Sequence, residues 1–145
     1  AKLPLHVAWG TGDGAWIAPP SENNEATSLM VEVGRRKITQ WKFVVPDAAG
    51  VIEVLSGRFS FSPGNAPTNH LWAQANFDFS EASGSEIREV AVYSGTAVDP
   101  GLPPGQMYFT PGEVVSPGLM LYLDNITPIF RSPAIQENIE VVITF

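Results

Sequence analysis

Asn138-Ile139-Glu140-Val141-Val142-Ile143-Thr144-Phe145 is the stretch that sets the fold class. Ile139, Val141, Ile143 and Phe145 fall on one side of an extended chain, and Asn138, Glu140, Val142 and Thr144 on the other. Apolar residues at a period of two mark a strand with one face in a core. The first set is expected to point inward. The same period recurs upstream. Leu71, Ala73, Ala75, Phe77 and Phe79 oppose Trp72, Gln74, Asn76 and Asp78. Leu3, Leu5, Val7 and Trp9 oppose Pro4, His6 and Ala8, and Thr39, Trp41, Phe43 and Val45 oppose Gln40 and Lys42.

The remaining segments are shorter. Residues 51–55 and 58–61 form strands around Ser56-Gly57, where glycine suggests a turn or bulge. Residues 87–93 mix charge with apolar groups on each face, which suits an edge or an interface. Residues 119–123 are apolar on both faces, like a strand covered on both sides. Residues 106–110 form a short strand, and 126–133 a loop or short extended piece. Leu29, Met30 and Val33 stand at helical spacing with Gly34 behind them, so one helical turn is expected over 27–33. Asp13-Gly14 is a turn pair, Trp16 pins the ordered loop after it, and residues 99–104 are too rich in Pro and Gly to be regular. Roughly eight short strands between turn signals predict an all-β fold, an antiparallel β-sandwich or a partly open barrel with long Pro/Gly-rich loops. Residues 1–145 are expected to form a single domain.

Composition narrows the function. Charged residues make up 16% of the chain, against about 25% for an average protein. So little charge leaves less to solvate a free surface, and part of it should be covered by partners. There is no cysteine, hence no disulfide, thiolate metal site or thiol nucleophile, and the lack of disulfides leans towards assembly inside a cell. The net charge is −7 and Arg35-Arg36-Lys37 is the longest basic run, which makes a poor nucleic-acid binder. No apolar stretch approaches the roughly 20 residues that span a bilayer. The N-terminus is no signal peptide and reads as one that has lost its initiator Met.

Chemistry is hard to find. His6 and His70 have no carboxylate at ligand spacing, and a polar strand residue and a loop-end hydrogen bonder explain them better than a metal. No Gly-x-Ser-x-Gly elbow occurs. Glu81, Glu86 and Glu89 flank a Ser/Gly turn, where solvated acids are ordinary, so a hydrolase built on them ranks last. No cofactor, no metal and no enzymatic activity are expected. Trp9 and Trp41 lie on apolar faces and read as core. Trp72 lies with Gln74, Asn76 and Asp78, facing outward, where it could anchor an interface or stack on a sugar; the interface ranks higher. Trp16 is a second such aromatic. Arg35, Arg36, Arg88 and Arg131 are half of the eight basic residues, suited to bidentate carboxylate pairs within the domain or across an interface, with Glu32, Glu86 and Glu89 as partners.

Three stretches carry a family resemblance. Residues 27–38, Thr-Ser-Leu-Met-Val-Glu-Val-Gly-Arg-Arg-Lys-Ile, resemble a segment near the start of tail-fibre and related tail proteins of contractile-tailed bacteriophages. Residues 87–93, Ile-Arg-Glu-Val-Ala-Val-Tyr, resemble a strand that follows it there, and residues 140–145 are similar to the closing strand of the same module. The likeness covers most of the chain from Thr27 onward, and the Ile-Arg-Glu strand is its most specific piece. It implies an all-β virion structural module working in a symmetric ring or trimer on the tail, baseplate or neck. Arg35, Arg36, Arg88 and Glu89 carry over as structural or interface residues. Family fibres continue into a shaft and receptor-binding tip, whereas this sequence stops at Phe145. The expectation is therefore a small tail, baseplate or neck-collar subunit. It would attach fibres or join other phage structural proteins, with neither nucleic acid nor membrane as a partner. It would be assembled in the host bacterial cytoplasm and carried in the virion. The alternative is a carbohydrate-binding β-sandwich module for host-surface glycans, stacking on Trp72 and Trp16.

Overall fold

The computed structural model describes residues 4–38, 40–54 and 56–145. In chain order its strands are β1 (Leu5–Gly10), β2 (Glu32–Lys37), β3 (Gln40–Pro46), β4 (Ile52–Val54), β5 (Gly57–Phe61), β6 (His70–Phe77), β7 (Glu86–Ser94), β8 (Ala97–Val98), β9 (Tyr108–Phe109), β10 (Val114–Ser116), β11 (Leu119–Phe130) and β12 (Glu137–Thr144). The sheets are antiparallel. No α-helix occurs among the described residues; Pro63–Asn65 and Pro111–Glu113 are single 3-10 turns. The all-β antiparallel class read from the periodicity is the one observed. The expectations for Leu3, Thr39, Leu55 and the first residues lie outside the described residues.

The chain divides into two compact units, Ala1–Lys37 with Phe77–Glu137, and Ile38–Asn76 with Asn138–Phe145. The first holds a five-stranded sheet in the order β11-β7-β1-β2-β9, and a small β10-β8 pair. Its central strands β1 and β7 are covered on both faces. Register places Val7, Trp9, Val90 and Val92 on one face and Ala8, Ala91 and Tyr93 on the other. The latter pack with Leu29, Met120 and Leu123. Each large apolar side chain so buried contributes about 1.5–3 kcal/mol. This corrects two expectations. His6 and Ala8 are buried rather than on a polar face, and 87–93 is an interior strand rather than an edge. A strand flanked on both sides, in a sheet covered on both faces, loses the one-sided pattern.

Residues 27–31 form no helical turn. Their backbone donors are taken from outside the segment. Leu29 N–H donates to the Tyr93 hydroxyl (3.2 Å), and Met30 and Val31 N–H donate to the two oxygens of the Glu89 carboxylate (3.0 and 2.8 Å). These bonds hold the chain extended as it enters β2, where helical bonds would have turned it. Gly34 lies in β2 because a Cβ there would stand 2.0 Å from the Tyr108 hydroxyl.

Arg35 is the most heavily engaged residue of this unit, at 2% exposure. Its guanidinium grips Glu32 with two bonds (2.9 and 2.6 Å) and donates to Thr96 Oγ1 (2.8 Å) and the Pro117 carbonyl (2.9 Å). It lies over the Tyr93 ring, 4.2 Å from its centre. Across the sheet, Trp9 stacks on Phe77 at 3.5 Å and receives the Arg131 guanidinium on its ring at 5.1 Å. Arg131 donates to the carbonyls of Asp78 (2.6 Å), Ile135 (2.9 Å) and Glu81 (3.2 Å), and Arg36 pairs with the Glu81 carboxylate.

The second unit holds the sheet β12-β6-β3-β5-β4. Leu71, Ala73, Ala75, Phe77, Val141 and Ile143 are buried as the alternation predicts. The opposite face is not purely polar. Val44, Ile52, Phe59, Trp72 and Val142 form a core cluster there, because β5 and β4 add apolar residues to the side that Lys42 and Trp72 share. Trp41 is only half-buried, so of the two tryptophans expected in the core Trp9 alone is enclosed. Phe79 and Phe145 are exposed; each lies just beyond a strand end, where the alternation has no partner to face.

β11 runs on to Phe130, so of the stretch 126–133, expected as a loop or short extended piece, residues 126–130 are extended. Its ladder to β7 is interrupted between Asn125 and Ile129 and then resumes. Pro128 sits in that interruption, where no ladder hydrogen bond is required of it. Residues 119–123 are half-exposed rather than covered on both faces, because β11 is the outer strand of its sheet.

Arg35→Met keeps the aliphatic stem but leaves the half-buried Glu32 without its cation. Removing one partner of a buried ion pair costs about 3–5 kcal/mol. Urea denaturation should show a loss of that size, and a loss below about 1 kcal/mol would mean that Glu32 turns freely to solvent.

Candidate interface site

The residues singled out in the sequence separate into two groups within the first unit, with Trp72 apart from both in the second. Arg35, Arg36, Glu89 and Arg131 have their polar groups engaged inside the first unit, as internal braces. Glu81 and Glu89 are buried rather than solvated, and burial raises the Glu81 carboxyl above the usual carboxylate range despite the neighbouring Arg36. Trp72 does not face outward. It is 8% exposed and packed among Val44, Phe59 and Val142, and only a small part of it borders the cleft that Gln40, Trp41, Lys42 and Phe61 line. Among the described residues, no three His, Asp or Glu side chains stand where they could share a metal ion.

Trp16 and Arg88 form the second group, and the fold brings them together. The loop after β1 turns at Asp13, whose carboxylate accepts from Ala15 N–H (2.9 Å) and whose carbonyl accepts from Trp16 N–H (3.1 Å). Trp16 then lies against Gly12, where a Cβ would meet the indole at 2.9 Å; φ of +57° there also favours glycine. Arg88 reaches from β7 to the Thr11 carbonyl (3.2 Å) while holding Glu86 (2.7 Å). Trp16, Ile17, Ala18, Pro19, Arg88, Ile126, Thr127 and Pro128 line a cleft of about 170 Å3. Ile17 is fully exposed at its rim. Sequence reading passed over Ile17. The signal was available, an aliphatic residue between a pinned Trp and a Pro pair, but exposure is a tertiary property.

The far end of this loop is clasped to β11. Asn125 N–H donates to Glu22 (3.0 Å), and the Asn125 side-chain amide donates to the Pro20 carbonyl (3.1 Å). Asp124 lies beside Glu22, within reach of the Tyr122 hydroxyl (3.4 Å). Burial, then the hydrogen bond and charge of Glu22, push the Asp124 carboxyl up to about 6. The Asn125 N–H holds Glu22 below the usual range. Below about pH 6, therefore, the proton of this pair rests on Asp124 rather than on Glu22. Such an ordered loop, with a bare Ile beside Trp and Arg, has the composition of a protein-binding hot spot.

The sign of the pH dependence follows. Asp124 is raised, so its protonated form supports the clasp and that support is lost as pH climbs through about 6. Glu22 is lowered, so its support is lost only in acid. Protection of the Asn125 amide, measured by hydrogen exchange corrected for intrinsic rate, should fall between about pH 5 and 7, roughly one unit to either side of the Asp124 midpoint. Asp124→Asn should flatten that fall; an unchanged slope would show that Asp124 does not carry it.

A comparison with curated proteins returned no match. Residues 1–145, the whole chain, match the family model described as baseplate wedge 3 tail fiber network component. The resemblance of residues 27–38 and 87–93 to phage tail proteins is thereby upheld. The protein belongs to that family, and is a structural component of the phage tail baseplate, part of the virion and partnered by other baseplate and tail-fibre proteins.

Proposed function

We propose that the protein is a small non-enzymatic baseplate subunit that joins neighbouring virion proteins and fibres through the Trp16–Ile17 loop, within a symmetric ring or trimer. The observation that carries this reading is Ile17, fully exposed on a loop whose backbone is held at both ends by Arg88 and Asn125. A mobile loop would lose entropy on docking; a braced one has already lost it. Low overall charge fits a surface that is covered in the particle. A stable contact of this kind buries roughly 800 Å2 per partner.

Ile17→Asp places a charge at the centre of the loop. Co-assembly with neighbouring baseplate proteins, followed by sedimentation, should weaken about 30-fold or more, the scale of a hot-spot residue. Trp16→Ala should act in the same direction. Assembly by both variants at wild-type affinity would place the docking surface elsewhere.

We also propose that the two units act as one domain. The chain passes between them after residues 37, 76 and 137, so neither is a continuous piece that could fold alone. Calorimetry should give a single thermal transition; two separated transitions would refute this.

A further inference from the structure

A second site stands apart from the Trp16 loop. Where β1, β2 and β9 meet the Pro/Gly-rich segment 99–106 there is a cleft of about 340 Å3. Its walls are largely apolar, with Pro4, Leu102, Pro103 and Phe109 among them. Most polar groups on its lining are already engaged. Thr96 Oγ1 accepts from Arg35 and donates to the Pro117 carbonyl, the Gln106 amide donates to the Tyr108 carbonyl and Glu113, and Asp99 accepts from Gly101 N–H.

Two donors are left. His6 is 3% exposed, sits edge-on to Phe109, and its Nδ1 has no hydrogen-bond partner among the described residues. Lys37 lies opposite His6 in the β1–β2 register and makes no ion pair among the described residues. A buried polar atom without a partner is uncommon and calls for a missing one. We infer that this cleft binds a carboxylate carried on an apolar stem, such as the chain-terminal residue of a neighbouring protein. Lys37 would supply the charge, His6 a hydrogen bond, and the Pro, Leu and Phe walls the grip on the stem. Arg35 is near enough to His6 to add to the positive field. Burial first, then Arg35 and Lys37, lowers the imidazole to about 4, so at neutral pH the ring is uncharged and acts as an N–H donor. A phosphate fits less well. It carries more charge than two donors can satisfy, and Asp99 on the lining opposes a dianion more strongly than a single carboxylate.

The chain has two histidines, so imidazole NMR of the full chain resolves the site directly, with His70 as an internal control. N-acetyl-leucine should shift His6 saturably, in the millimolar range normal for so small a ligand, and leave His70 unmoved. N-acetyl-leucinamide, which lacks the carboxylate, should bind at least tenfold more weakly, and so should inorganic phosphate. Lys37→Met should lose about tenfold in N-acetyl-leucine affinity while the His70 resonance stays in place, which shows that the variant is folded. Equal binding of the leucinamide, tighter binding of phosphate, an unaffected Lys37→Met, or no saturable shift with N-acetyl-leucine would each overturn the assignment. Ile17→Asp should bind N-acetyl-leucine as the wild type does, so the two sites fail or stand separately.

Discussion

The first unit depends on burying a guanidinium. Arg35 has no route to water, so its donors must be met inside the protein, and each acceptor fixes a different piece of chain. Glu32 fixes the start of β2, Thr96 the approach to β8, and Pro117 the turn before β11. Glu89 does the complementary work with a negative charge, taking two backbone donors from residues 30 and 31. A buried ion pair adds little net stability over an apolar equivalent, but it penalises every arrangement that leaves one member unpaired. What these residues supply is therefore register and uniqueness more than strength.

This explains which residues are left for function. Four of the prominent charges are used to position strands and loops, and their hydrogen-bonding capacity is consumed in doing so. What is left over is of another kind: an apolar group held in the open at Ile17, and at His6 a buried ring nitrogen with no partner among the described residues. These are the two features on which the proposed docking loop and the inferred carboxylate site rest.

The long outer strand β11 shows how the fold limits unwanted pairing. Twelve residues with one charge would template another strand if left bare. Two interruptions of its ladder, Pro128 within the second, and the Pro20–Glu22 loop laid against Asn125 break up that edge. The loop that presents Ile17 thus also lies against the strand beside it.

The sequence by itself determined the all-β class, most strand positions and the family. Period-two alternation is a local property, imposed by the pleat whatever surrounds it, and the family signature is a linear string. Tertiary structure alone decided which faces are buried. His6, Ala8, Glu89 and Trp72 were misread because β1, β7 and β6 each have neighbours on both sides, so a residue pointing away from one core points into another. The missing helix over 27–31 has the same origin: its donors are claimed by Glu89 and Tyr93, some sixty residues away in the chain. The meeting of Trp16 with Arg88, the bare side chain of Ile17 and the orphan nitrogen of His6 are likewise invisible in the string, since exposure and hydrogen-bond satisfaction exist only once distant segments have closed on one another.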